Sequence, residues 1–219
     1  MIKIAPSMLS ADFLYLEKDV DTVNRYADLF HLDIMDGSFV PNISYGFPVV
    51  EAIARKAEKP LDAHLMIVNP DKYVERLAKA GVSMLSFHYE AALEKTSEII
   101  KMVKENGMKA GVAINPDIPV DKLYPFLDSL DFVLIMSVFA GYGGQKFIDN
   151  SLERIRTMKN EITGRGLDCH IEVDGGVSAS NSCALAKAGA DIFVAGSAVF
   201  NAADPELAIK EMRDAAQMM

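Results

Sequence analysis

Eight short apolar runs, separated by longer amphipathic stretches, constrain the fold of this chain more tightly than any other feature. The runs are Ile2–Met8, Leu29–Asp36, Leu61–Ile67, Met84–Tyr89, Ala110–Ile114, Phe132–Val138, Cys169–Asp174 and Ile192–Ala195. They are rich in Ile, Val and Phe, as parallel strands buried on both faces require. Helical patterning fills the intervals Pro48–Ala57, Asp71–Ala80, Lys95–Asn106, Val120–Leu130, Ser151–Thr163, Ser180–Ala188 and Pro205–Met212. Gly81, Gly107 and Gly189 stand where helices end, since glycine takes the left-handed cap without strain. Asn69-Pro70-Asp71 and Asn115-Pro116-Asp117 read as strand-to-helix turns.

Strand–helix alternation from end to end specifies a parallel sheet with helices packed on it. At about 27 residues per unit, the 219-residue chain suits a single (β/α)8 TIM barrel near the lower size of its class. A doubly wound open sheet is the alternative, but it would gather polar ligands at one switch point. Here they end strands two, three and seven, which favours the barrel. No linker or low-complexity stretch divides the chain, so residues 1–219 are expected to form one catalytic domain.

Half of the residues are hydrophobic, enough for a sizeable core, and the net charge is −9. That charge argues against nucleic acid or an anionic membrane as the main partner. A phosphorylated metabolite remains possible, because backbone N–H groups at helix N-termini supply local positive field. No apolar run approaches the ~20 residues of a membrane helix. The start, Met1-Ile2-Lys3-Ile4-Ala5-Pro6, lacks the charged and apolar regions of a signal peptide. A cytoplasmic location is expected, with Cys169 and Cys183 as ordinary reduced thiols.

Polar residues interrupt three of the buried runs in phase. Side chains at i and i+2 share a face of a strand. His31, Asp33 and Met35 therefore point one way, as do His64 with Met66, and Glu172 with Asp174. A buried His beside a buried carboxylate is costly unless something pairs with both. If the barrel closes, His31, Asp33, His64 and Asp174 converge at its mouth. Two imidazoles and two carboxylates suit one divalent ion of Zn, Fe(II), Mn or Co(II) better than Ca or Mg. Two carboxylates also suit proton transfer, one removing a proton from a carbon while the other delivers one to the opposite face. The two must differ in protonation at the start of each turnover.

Three glycine-bearing loops follow strands six to eight: Gly141-Tyr142-Gly143-Gly144, Gly175-Gly176 and Gly196-Ser197. Glycine lets the backbone approach an oxyanion, and barrels often bind phosphate with the loops after strands seven and eight. Lys146 is either a helper or a solvated surface residue. Ser7 is a candidate hydrogen-bond partner for a substrate hydroxyl, or a plain strand-end Ser. His88 and Glu90, read on one face of strand four, are candidates for a supporting role. Asp62 and Glu172 are expected deeper in the barrel, and His170 at its bottom. Met35, Met66 and Met136 fill core or roof a reactive intermediate.

At Pro6-Ser7, His31-Leu32-Asp33-Ile34-Met35-Asp36-Gly37, Phe39-Val40-Pro41-Asn42, His64-Leu65-Met66, Gly143-Gly144-Gln145-Lys146-Phe147 and Val173-Asp174-Gly175-Gly176-Val177, the chain resembles the ribulose-phosphate 3-epimerase family. The resemblance covers nearly the whole length. It implies a barrel of the ribulose-phosphate-binding type that interconverts D-ribulose 5-phosphate and D-xylulose 5-phosphate in the pentose phosphate pathway. It implies metal ligation by His31, Asp33, His64 and Asp174. Asp33 and Asp174 would be the acid–base pair acting through a metal-stabilised cis-enediolate. Ser7, His31, His64, Asp174 and the glycine loops would contact substrate, with Met35, Met66 and Met136 packed above it. Association of identical chains is also expected.

The chain departs from the family pattern at Ser38, where His is usual, and at Phe139-Ala140, where Asn-Pro or Glu-Pro is usual. Tyr142 also stands for Phe. Losing the proline loosens the loop after strand six, and Phe139 is expected to reshape the pocket. These departures leave a hexulose 6-phosphate such as D-allulose 6-phosphate as an alternative substrate. Lyases and decarboxylases on related barrels carry Asp-x-Lys-x-x-Asp on strand three, whereas this chain has Asp62-Ala63-His64. A catalytically dead sugar-phosphate sensor would not need the intact ligands and carboxylates.

Overall fold

The computed structural model describes residues 2–218. Eight strands form one parallel sheet: β1 Lys3–Pro6, β2 Phe30–Met35, β3 Leu61–Met66, β4 Val82–His88, β5 Lys109–Ile114, β6 Phe132–Met136, β7 His170–Asp174 and β8 Ile192–Ala195. Hydrogen-bonded neighbours follow the order β1-β8-β7-β6-β5-β4-β3-β2. A parallel bridge between Ser7 and His31 joins the remaining two edges. The result is the (β/α)8 TIM barrel that the alternation of apolar runs specifies. Strand ends move by a residue or two from the sequence reading: most strands shorten as their outer residues leave the ladder, while β4 and β5 begin earlier, at Val82 and Lys109.

The helices are α1 Leu16–Tyr26, α2 Phe47–Ala54, α3 Val74–Lys79, α4 Tyr89–Ala92, α5 Thr96–Glu105, α6 Ser151–Gly164, α7 Ala179–Ala188, α8 Ser197–Phe200 and α9 Pro205–Gln217. Their starts and stops follow from local chemistry. Ser178 and Asn181 form a capping box at α7, and Gly189 ends it in the left-handed conformation. Asp204 accepts the Leu207 N–H to open α9, with Pro205 at its first turn.

Besides the short helices α4 and α8, three longer segments differ from the sequence reading. The helix α1 went unread there; charged residues outnumber its narrow stripe of Leu16, Val20 and Val23, of which the two valines are buried. Residues 120–130, read as an amphipathic helix, form a 3-10 helix over Val120–Ser129 with Pro125 inside. Proline has no N–H to close the α-helical ring and clashes with the preceding turn. Asp71–Ala80 divides into a 3-10 turn, Pro70–Tyr73, and α3.

Two apolar layers hold the barrel. Outward-facing Leu32, Leu65, Leu85, Val112, Val133, Val173 and Phe193 pack with Val20, Val50, Leu77, Ile99, Ile155, Leu185 and Ile209 of the helices. Each such side chain contributes about 1.5–3 kcal/mol when fully buried. Inside the barrel, Ala5, Leu29, Met84, Phe132, Ile192 and Val194 form an apolar floor. Gly111 makes that floor possible, since a Cβ there would lie 2.3 Å from the Phe132 ring. Above the floor the interior turns polar.

Candidate active site

Strand register builds the polar cluster. On β2 and β3, His31 pairs with Asp62, Asp33 with His64, and Met35 with Met66. On β6 and β7, Met136 pairs with Asp174. Each pair is one layer of the barrel interior, rising from floor to mouth. The middle layers carry buried His31, Asp33, Asp62, His64 and Glu172. The upper rim carries the methionines.

His31, Asp33, His64 and Asp174 meet as the sequence predicts. Their donor atoms lie within 4.8 Å of one another. Asp33 Oδ1 stands 3.3 Å from His31 Nε2 and 3.0 Å from His64 Nδ1. Asp174 Oδ2 is 3.9 Å from His64 Nδ1. Bonds of about 2.1 Å to one ion place its ligand atoms about 3–4 Å apart, so the spacing fits. His31 Nε2 has no hydrogen-bond partner among the described residues although it is buried. An orphaned imidazole nitrogen facing two carboxylates fits a divalent cation, and the N2O2 donor set favours a borderline transition metal over Ca or Mg.

The supporting contacts orient this set. His31 Nδ1 donates to Asp62 Oδ2 at 2.6 Å, with Glu172 Oε1 at 3.4 Å. The Nδ1–H tautomer leaves the Nε2 lone pair facing the cluster. Asp62 and Glu172 thus lie in the deeper polar network that the sequence suggests. Ser7 Oγ donates to Asp33 Oδ2 at 2.5 Å, so its hydroxyl is committed to the carboxylate as well as lining the cavity. His88 is closer to the centre than the sequence implies: its Nε2 is 2.9 Å from His64 Nε2. Glu90 lies in α4, past the end of β4. His170 opens β7 and is half-exposed near Asp191, away from the cluster.

Electrostatics separate the two carboxylates. Burial pushes Asp33 upward, but His31 and His64 outweigh it and hold Asp33 well below the usual carboxylate range. Burial and the charge of Asp33 push Asp174 up to about 7. Burial lowers His31, yet Asp33 and Asp62 hold it well above the usual imidazole value. His64 is lowered to about 4, by burial first and by the neighbouring His88 and His31. Glu172 is raised by burial and by Asp62. Without a cation, one carboxylate is held ionised and the other is raised toward protonation, an asymmetry that suits two-sided proton transfer; a bound cation would lower both.

A cavity of about 50 Å³ opens above the cluster. It is lined by Ser7, Asp33, Asp174, Met35, Met66 and Met136, and by Gly141, Tyr142, Gly143, Gly144, Gly175, Gly176, Gly196 and Ser197. The fully buried His31 and His64 lie outside that lining, so only Asp33 and Asp174 of the four face it directly. Ser10 and Gln145 also line it and were not singled out from the sequence. Gly176 has φ +63°, and a Cβ there would lie 2.5 Å from Phe147 N. Only glycine permits that approach.

The loop after β6 is braced without proline. Gln145 Nε2 donates to Phe139 O and Tyr142 O, both at 2.8 Å, and Asn115 Oδ1 accepts from Ala140 N at 2.9 Å. Phe139 is half-exposed and lies outside the cavity lining, whereas Ala140 is part of it. Lys146 is exposed and also outside the lining. Cys169 and Cys183 are free thiols.

The profile of the ribulose-phosphate 3 epimerase family matches residues 3–200. The chain belongs to that family. It is an isomerase. A ribulose-phosphate 3-epimerase of Bacillus subtilis is 47% identical over 97% of this chain and 99% of its own length. The Synechocystis enzyme of that name is 46% identical over 97% and 94%, and the Escherichia coli K12 enzyme 43% over 96% and 94%. Among solved structures, KGPDC from Streptococcus mutans superimposes with TM-score 0.76 at 13% identity, covering 99% of this chain and 98% of its own. A 3-hexulose-6-phosphate synthase gives 0.71 at 20%, covering 98% of each. At those identities the structural likeness speaks to the barrel alone. Among the described residues, no helix is long and apolar enough to cross a membrane.

Proposed function

We propose that this epimerase inverts C3 of a pentulose phosphate, interconverting D-ribulose 5-phosphate and D-xylulose 5-phosphate, with Asp33 and Asp174 as the two proton-transfer groups. The observation that carries the reading is the convergence of two oppositely shifted carboxylates and two imidazoles at the floor of a glycine-lined cavity. The names of the relatives support the pentulose, and membership of the pentose phosphate pathway follows from it.

In this reading the phosphate rests on Gly141–Gly144, Gly175-Gly176 and Gly196-Ser197, whose backbone N–H groups face an oxyanion. Gly196 opens α8, whose first N–H groups lack intrahelical acceptors. The sugar then extends toward Asp33 and Asp174. One carboxylate removes the C3 proton from one face, and the other, carrying its proton, delivers it to the opposite face of the enediolate. In the reverse direction they exchange roles. Ser7 holds Asp33 in place through its hydroxyl. Met35, Met66 and Met136 exclude water from the intermediate, which limits loss of its proton and of phosphate.

His31, Asp33, His64 and Asp174 would hold one Zn, Fe(II), Mn or Co(II). When bound, that ion supplies electrostatic stabilisation of negative charge developing on the substrate oxygens, worth several kcal/mol. The residues of 1–219 act as one catalytic domain in this account. A rice relative named the cytoplasmic isoform supports a cytoplasmic location. Exposed Leu14, Tyr15 and Ile43 offer apolar surface for association of identical chains.

Competition between D-ribulose 5-phosphate and D-allulose 6-phosphate tests the substrate. A higher kcat/KM for the pentulose is expected, and a preference for the hexulose overturns the sugar assignment.

A further inference from the structure

Resting on the metal reading above, we infer that Glu90 is a positioning residue that sets the tautomer of His88, and through it that of His64, so that His64 presents a bare Nδ1 to the cation. The contacts form one line. His64 Nδ1 faces Asp33, and His64 Nε2 lies 2.9 Å from His88 Nε2. His88 Nδ1 has no hydrogen-bond partner among the described residues, and the nearest carboxylate oxygen is Glu90 Oε1 at 3.6 Å. That oxygen is fixed in turn by Asn115, whose backbone N and Nδ2 both donate to it, at 3.1 and 2.8 Å.

Only one proton can lie between two nitrogens 2.9 Å apart, so the proton positions of the two rings are tied to each other. In one arrangement His64 carries its proton on Nδ1 and bonds Asp33, while His88 donates from Nε2 to His64. The His88 Nδ1 lone pair then faces the Glu90 carboxylate and is repelled. In the other, His64 Nε2–H donates to His88 Nε2, and His88 Nδ1–H faces Glu90. The His64 Nδ1 lone pair then faces Asp33 Oδ1 at 3.0 Å, which is tolerable only with a cation between them. Glu90 therefore favours the arrangement that a metal ligand needs. The total number of protons is the same in both; only their places change. Asn115 extends the line to the cavity wall, because its Oδ1 accepts from Ala140 N in the loop after β6, and Arg154 Nη2 donates to its carbonyl. The carboxylate that sets the tautomers is thus held by the residue that braces the loop over the cavity.

The test reads the imidazoles directly, using the Zn(II)-loaded wild-type chain and long-range ¹H–¹⁵N correlation of its histidine rings. The expected result is a protonated Nδ1 on His88 and a protonated Nε2 on His64. A protonated Nε2 on His88 overturns the inference. Glu90→Gln keeps the side-chain volume and removes the charge. Its affinity for Zn(II), measured by calorimetry on the metal-free protein, should fall by about 10- to 100-fold, the range for groups that orient metal-ligating histidines. An unchanged affinity overturns the inference as well. If the wild type takes up no Zn(II), the metal reading fails and this inference with it. Uptake with the wrong tautomer removes the inference alone.

Discussion

Asp174→Asn should make the metal-free protein more stable at pH 8 while disabling it. Asp174 is only 17% exposed and stands beside Asp33, with burial and that charge pushing its pKa from 3.8 up to about 7. A rise of about three units, at about 1.36 kcal/mol each, corresponds to roughly 4 kcal/mol between the folded and unfolded chains. Residual solvent contact and relaxation of the site reduce this to roughly 2–3 kcal/mol. The sign follows from the folded value lying above the unfolded one. Stability from neutral Asp174 is fully present below pH 3.8 and is lost as pH rises through about 7. An Asn has no proton to lose, so its advantage should be greatest at pH 8 and vanish near pH 4. Urea unfolding followed by circular dichroism on chelator-treated proteins at both pH values gives the comparison. Divalent metal should reverse the order at pH 8 when supplied at about 1,000 times the wild-type Kd, where wild type gains about 4.1 kcal/mol and the variant has lost a ligand. A variant no more stable than wild type at pH 8, or an advantage that persists at pH 4, would refute the reasoning.

Other perturbations probe different parts of the site. Asp33→Asn should lose turnover by at least about 10²-fold, the usual loss for a missing general acid or base; a near-normal kcat in a steady-state assay removes Asp33 from proton transfer. Gly176→Ala forces a side chain at φ +63° against Phe147 N, and should cost roughly 1–3 kcal/mol by denaturant unfolding while raising KM for the phosphorylated sugar. Tyr45→Phe removes a buried hydroxyl that lacks a partner among the described residues, so stability should hold or rise by up to about 1 kcal/mol. A clear loss in thermal unfolding would show that the hydroxyl is satisfied.

The barrel and most of its centre were legible because strand periodicity is short and strict. A polar residue two positions from another in an apolar run shares its face whatever the rest of the chain does, and His31, Asp33, His64 and Asp174 each sit in such a run. The glycine loops were legible because each lies in the segment between a strand and the next helix. What the sequence hid depends on neighbours distant along the chain. His88 stands one inward position beyond Ser86, the register partner of His64; that relation becomes visible only once β3 and β4 are aligned. The commitment of Ser7 Oγ to Asp33 rests on the bridge that closes the barrel between β1 and β2. Helix α1 was obscured by its charged surface, and the 3-10 segment by an apolar spacing that Pro125 makes unattainable for an α-helix. The hydrogen bonds of Gln145 and Asn115 to the loop that carries Phe139-Ala140 are revealed by no local pattern.

The most direct test of the account is deuterium exchange at C3 of D-ribulose 5-phosphate in D2O, followed by NMR with the metal-loaded chain and again after chelation. The account predicts deuterium at C3 of the epimerised product from the loaded protein, loss of exchange on chelation, and recovery on adding back Zn(II), Mn(II) or Co(II). Exchange that continues unchanged in the chelated protein, or epimerisation that leaves the C3 hydrogen unexchanged throughout, would contradict it.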